Sequence, residues 1–256
     1  MPARGRPHAY ARAVLRIIDA RTGEPVDAAP ARRGLTRVEA HASGFDASGL
    51  RVLLVADLLV RALELGGTPV WALLTGERQQ AELRAGASAL GIRPFEDSHD
   101  LGAALGEAQV IHVVGDDDGT APDGVRIAVA SVDPAMPVAR MAADDPTVLR
   151  LALLARRRAL PVRLDADTLE EARRTLARWR RAVASWARRP SRPVPDEVRG
   201  RLRRAWEDDL NVPAVLRVLE WTETRPDLPD GARFETYVYA DRLLGLDLTR
   251  DLGAPS

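Results

Sequence analysis

The chain has 256 residues, 46 % of them hydrophobic, enough for a buried core and one or two domains and too apolar for a disordered chain. It contains no cysteine and no lysine, which excludes disulfides, zinc–thiolate centres, cysteine nucleophiles, Schiff-base lysines and P-loop lysines. Formal net charge is zero, but residues 150–204 hold 17 arginines against 6 acids, and residues 205–256 hold 5 arginines against 11 acids. That asymmetry points either to a nucleic-acid face or to two regions that attract each other.

In chain order, Val14-Leu15-Arg16-Ile17-Ile18 reads as a strand, 20–34 as a loop and 36–42 as a second strand. Residues 50–65 are apolar nearly all round, which predicts a buried helix stopped by Gly66-Gly67, although Val52–Val55 alone also fits a strand. Further strands are expected at 69–74, 110–114 and 125–130, and helices at 77–90 and 101–108. Strand and helix alternating at this spacing predict a parallel, doubly wound sheet. Beyond residue 142 the pattern is helical only. One helix starts at Asp144-Asp145-Pro146 and a second is capped by Asp167, with Leu169, Leu176, Trp179, Val183 and Trp186 on its apolar face. A third spans about 195–207, a fourth is capped by Asn211 with Pro213 in its first turn, and a last one covers 233–244. The expected division is an α/β domain at 1–142 and a helical bundle at 143–256.

No apolar run approaches the roughly 20 residues of a membrane span. The opening Met1-Pro2-Ala3-Arg4-Gly5-Arg6 has charge with no apolar stretch behind it, so no signal peptide and a cytoplasmic location are expected.

Four segments of the helical half, in order, carry a family likeness. Asp144-Asp145-Pro146-Thr147-Val148-Leu149-Arg150-Leu151 resembles the helix after the KMSKS loop of cysteinyl-tRNA synthetases. Leu164-Asp165-Ala166-Asp167-Thr168-Leu169-Glu170-Glu171-Ala172 is similar to the start of that family's next helix. Ala205-Trp206-Glu207-Asp208-Asp209-Leu210-Asn211-Val212-Pro213 and Arg242-Leu243-Leu244-Gly245-Leu246 resemble its later signatures. In the first half, Phe45-Asp46-Ala47-Ser48 resembles the stretch before HIGH in the mycothiol-pathway cysteine ligases. Ala56-Asp57-Leu58-Leu59-Val60-Arg61 resembles the helix after HIGH, and Leu90-Gly91-Ile92-Arg93-Pro94 a later loop. The resemblance implies a class I synthetase fold: a Rossmann-like parallel sheet of the HUP type followed by a C-terminal α-helical bundle.

The resemblance also defines what is missing. HIGH histidines bind ATP phosphates at a helix N-terminus, but the corresponding stretch here is Asp46-Ala47-Ser48-Gly49-Leu50-Arg51. KMSKS lysines are absent, and Arg140 is the one cation in the matching stretch. The family's zinc site uses Cys and His with a carboxylate. This chain has no Cys, and its four His are scattered at 8, 41, 99 and 112, with His41 near the place of one zinc cysteine but read as a structural residue. No catalytic residue, no metal ligand and no zinc are therefore expected.

Ser48, Gly49, Arg51 and Arg140 are the candidate nucleotide contacts, with ATP the cofactor left open. Arg173, Arg174, Arg178, Arg180, Arg181, Arg188 and Arg189 are the candidate nucleic-acid contacts, because arginines along helices can track a phosphate backbone. In the relatives this bundle faces tRNA. Gly115-Asp116-Asp117-Asp118-Gly119 offers carboxylates for Mg²⁺ but reads as a solvated turn. The expected function is a non-catalytic paralogue with a binding or regulatory role, for tRNA or a nucleotide. The alternatives are an ATP-dependent cysteine- or amino-acid-activating ligase with contacts rebuilt on Arg51 and Arg140, and a structural partner of an active synthetase.

Overall fold

The computed structural model describes residues 14–30, 35–76, 78–97, 107–116, 123–141 and 145–253. The elements run β1 (Arg16–Ile18), β2 (Pro25–Asp27), β3 (Leu35–His41), α1 (Ala47–Leu65), β4 (Val70–Thr75), α2 (Gln80–Ala89), β5 (Glu96–Asp97), β6 (Glu107–Gly115), β7 (Val125–Val129), β8 (Val132–Pro134) and α3 (Val138–Met141). They continue with α4 (Pro146–Leu154), β9 (Val162–Leu164), α5 (Ala166–Trp186), α6 (Asp196–Glu207), α7 (Val212–Thr224) and α8 (Asp230–Leu244).

A five-stranded parallel sheet of order β5-β4-β3-β6-β7 is flanked by helices and followed by C-terminal helices, a Rossmann-like α/β fold. Alternation decides which side chains meet what. Val38, Ala40, Ile111, Val113, Ile127 and Val129 join the main core with α1. Arg37, Glu39, His41 and His112 therefore point to the opposite face.

The apolar α1 sequence is explained by its place in the middle of the molecule. It packs on β3, β4 and β6 on one side and on α8 on the other. Its buried residues include Arg51 and Asp57 among the aliphatics. Asp57 binds Arg150 of α4 at 2.9 Å with both side chains fully enclosed, and it also takes Arg61 at 2.9 Å and Arg93 at 3.1 Å. Arg150 further donates to Leu244 O at 2.7 Å and Leu90 O at 3.0 Å. One guanidinium thus ties α1, the loop after α2, α4 and the end of α8 together. Gly245 has φ +61°, and a Cβ there would lie 2.8 Å from Arg150 Nη2, so both its backbone and its space call for glycine.

Several expectations are corrected. The segment expected as a loop at 20–34 contains β2, which pairs antiparallel with β1. β1 lies in this hairpin, outside the parallel sheet. The helical half contains β9, paired parallel with β8. These are strands of three residues, made by pairing to a neighbour more than by propensity. Glu107 and Ala108, expected in a helix, begin β6; the rest of that helix falls at 101–106, outside the described residues. The cap of α5 is Asp165, not Asp167. Asp165 is extended and accepts from Thr168 N at 2.9 Å, which leaves Asp167 inside the first turn. Trp179 and Trp186 are core, as expected, and pack edge-on against Tyr237. Among the described residues no helix is long and apolar enough to cross a membrane.

Candidate functional site

Connections lead outward from β3 through β4 to β5, and the chain then returns to β6 on the other side of β3. The direction reverses between β3 and β6, and ligands in open α/β sheets sit at the carboxyl ends of such a pair. Three things meet near that point: the end of β3, the start of α1, and the facing side chains of β6.

The first turn of α1 is where phosphates would dock in the resembled family. Here Asp46 is the N-cap, and its carboxylate accepts from Gly49 N at 2.7 Å. That carboxylate takes one first-turn amide, and its charge repels a second anion. Gly49 is needed because a Cβ would lie 2.4 Å from Gly44 O. Ser48 Oγ accepts from Val132 N at 3.0 Å. Arg51 is 1 % exposed and donates to Ala130 O at 2.7 Å, Leu160 O at 2.8 Å and Arg157 O at 2.9 Å. Burial pulls its pKa down to about 10, with Asp116 opposing. The guanidinium thus fastens the β7–β8 connection to the loop after α4. Arg140 is exposed on α3.

On the opposite face of the sheet lies a cluster that the sequence kept apart. Glu39 and His112 are directly paired in the β3–β6 register, and His41 is two residues further along β3. His41 Nε2 is 2.9 Å from His112 Nδ1, Glu39 Oε2 is 3.2 Å from His112 Nδ1, and Glu39 Oε2 is 3.7 Å from His41 Nε2. The three donor atoms gather tightly enough to hold one metal ion. The hydrogen bond with His112 holds the Glu39 carboxyl below its ordinary range, against the opposing effect of burial. Arg37 Nε contacts the other carboxylate oxygen at 2.9 Å. The side chain of His112 is enclosed, whereas that of His41 is 17 % exposed and opens the cluster to one side.

Two of the four scattered histidines are therefore adjacent, and the reading of His41 as a lone residue is corrected. His8 and His99 lie outside the described residues, as do residues 117–119 of the acidic turn. Arg37, Glu39 and His41 at every second position of a central strand were the available signal, since such a strand ordinarily carries apolar runs.

The candidate nucleic-acid arginines do not form one set. Arg173, Arg174, Arg178, Arg181, Arg188 and Arg189 are exposed on α5 and just beyond it. Arg180 is 6 % exposed, binds Asp145 at 2.7 Å and donates to Asp247 O and Leu246 O. Arg178 pairs with Glu223, Arg189 approaches Asp230 at 3.9 Å, and Arg157 and Arg158 pair with Asp208 and Asp209. Part of the charge asymmetry is thus met by ion pairs within the chain. A groove of about 400 Å³ between α6 and α7, not anticipated from sequence, is lined by Arg201, Arg204, Arg217 and Trp221, with Arg201 4.5 Å over the indole.

No protein-family profile matches the chain. Over 76 residues, 30 % of its length, it is 41 % identical to an L-cysteine:1D-myo-inositol 2-amino-2-deoxy-alpha-D-glucopyranoside ligase of Thermobispora bispora, covering 18 % of that protein. A protein of the same name from Streptosporangium roseum is 36 % identical over 112 residues, 41 % of this chain and 26 % of the relative. The chain therefore spans only about a fifth to a quarter of the length of these curated relatives. Over that part of its length it is similar to cysteine ligases of this kind.

Proposed function

We propose that this protein is a non-catalytic relative of the cysteine ligases that works by binding. One observation carries the reading: the first turn of α1 is closed by its own residues. Asp46 occupies the Gly49 amide, Ser48 is held by the Val132 N–H, and Arg51 is enclosed on three carbonyls. Rebuilding ATP contacts on Arg51 would strand those carbonyls, each at a cost of about 1–3 kcal/mol. Removing one preorganised charge stabiliser from an active site already lowers rate by about 10²–10³.

A surface suited to an anionic ligand is the α6–α7 groove. Arg204 and Arg217 have no ion pair among the described residues, so an anionic partner such as RNA would meet uncompensated charge there.

Two measurements test the reading. Isothermal titration with ATP, and with a cysteinyl-adenylate analogue, should give no heat of binding, and cysteine-dependent ATP–pyrophosphate exchange should stay at background. Exchange above background would overturn it. A salt-dependent tRNA mobility shift weakened by Arg204→Glu plus Arg217→Glu would support the RNA partner, whereas a shift weakened equally by Arg174→Glu would not.

A further inference from the structure

We propose that Glu39, His41 and His112 form a binding site for a first-row divalent cation of the zinc class, a role independent of the binding function above. Glu39 Oε2, His41 Nε2 and His112 Nδ1 make a triangle with sides of 2.9, 3.2 and 3.7 Å. Ligand atoms around a tetrahedral zinc-class ion, at bond lengths of about 2.0–2.1 Å, stand roughly 3.3 Å apart. The circle through the three atoms has a radius of about 1.9 Å, so a point slightly above their plane lies at bonding distance from all three. The observed triangle is thus the open face of a tetrahedron.

Two imidazole nitrogens and a carboxylate oxygen converge within bonding reach of one point. A cation there takes the place of the protons that the three groups share, as metal binding to such groups releases protons. The surroundings have the form of a supported ligand shell. His112 Nε2 faces Asp123 O at 3.4 Å, an acceptor for its proton when Nδ1 binds a cation. Gly124 permits that approach: its φ is +147°, and a Cβ would lie 3.1 Å from the His112 ring. Arg37 fixes Glu39 through Oε1 and leaves Oε2 for the cluster.

The donor set also selects. Two imidazoles and one carboxylate suit zinc, cobalt or nickel; magnesium and calcium prefer all-oxygen shells. The site uses no thiolate, and three protein donors leave a fourth position open on the His41 side. The site residues lie on the sheet face opposite α1, apart from the α1 turn discussed above.

The test uses the full chain without a polyhistidine tag, stripped with chelator and titrated with Co²⁺ and Zn²⁺. The expected result is one equivalent bound by calorimetry, with Co²⁺ absorption of tetrahedral strength, displaced by Zn²⁺ and unaffected by excess Mg²⁺. His112→Ala, His41→Gln and Glu39→Gln should each weaken binding by about tenfold or more. The His41→Gln variant is decisive should His112→Ala fail to fold, because His41 lies at the edge of the cluster. Absence of a one-equivalent site in the folded protein overturns the proposal, as does binding that His41→Gln and Glu39→Gln leave unchanged.

Discussion

Arg150→Met removes the joint between the sheet half and the helical half while keeping a flexible stem of similar length. The wild-type guanidinium makes one enclosed ion pair to Asp57 and two hydrogen bonds to the carbonyls of Leu90 and Leu244. Breaking a buried pair by deleting one partner costs about 3–5 kcal/mol. Each orphaned carbonyl would add about 1–3 kcal/mol in isolation. Asp57 keeps Arg61 and Arg93, which limits the first figure. Neighbouring losses do not add, so the expected destabilisation is about 3–5 kcal/mol in total. For a chain of this size that corresponds to a fall in Tm of roughly 6–20 °C. Urea unfolding followed by tryptophan fluorescence reads it, because Trp179, Trp186 and Trp206 are all buried in the helical half. The control is Arg174→Met on the exposed face of α5, where a change within about 0.5 kcal/mol is expected. A loss at Arg150 no larger than that control would refute the assignment of this residue as the joint.

Three further outcomes follow from the same geometry. Gly245→Ala should cost about 1–3 kcal/mol from backbone strain, and combined with Arg150→Met it should cost less than the sum, because the added methyl meets the guanidinium that the second change removes. Asn211→Ala should lose about 0.5–2 kcal/mol by uncapping α7, measured by the same urea titration. At Asp145, burial pushes the carboxyl pKa up, but bonds from Arg180 and Thr147 more than offset it and leave the pKa lowered. A lowered folded pKa stabilises above the unfolded value of about 3.9 and is lost as pH falls through the folded value. The stability gap between wild type and Asp145→Asn should therefore be full at pH 6 and close in strong acid; a constant gap would contradict the assignment.

The segments legible in sequence turn out to be those that hold elements together. Asp57, Leu90, Arg150 and Leu244 come from four separate signatures and meet at one guanidinium. Asp209, from a fifth, accepts from Ile18 N and from Arg158, and so docks the turn before α7 onto the β1–β2 hairpin. Local rules sufficed for helices with strong caps, and for the seven-residue β3. They failed for β2, β5, β8 and β9, whose two or three residues carry no period to read. The Glu39–His41–His112 cluster was not legible for a different reason. His41 and His112 are 71 residues apart, and only the parallel register of β3 on β6 brings them to one face.

The contrast between what the chain keeps and what it lacks has a physical basis. A residue such as Arg150 is bound from three directions, so its replacement unbalances several elements at once. At the head of α1, Asp46 satisfies the Gly49 amide from within the chain. The carboxylate that caps the helix also carries a charge that opposes a triphosphate at the same place. Asp46→Ser separates the two: it should retain most of the cap, since serine also caps well, while removing the repelling charge. If ATP still fails to bind to that variant, the enclosure of Ser48 and Arg51 is sufficient to close the site. If ATP binds, the carboxylate alone was the barrier, and the remaining contacts of α1 are those of a nucleotide site.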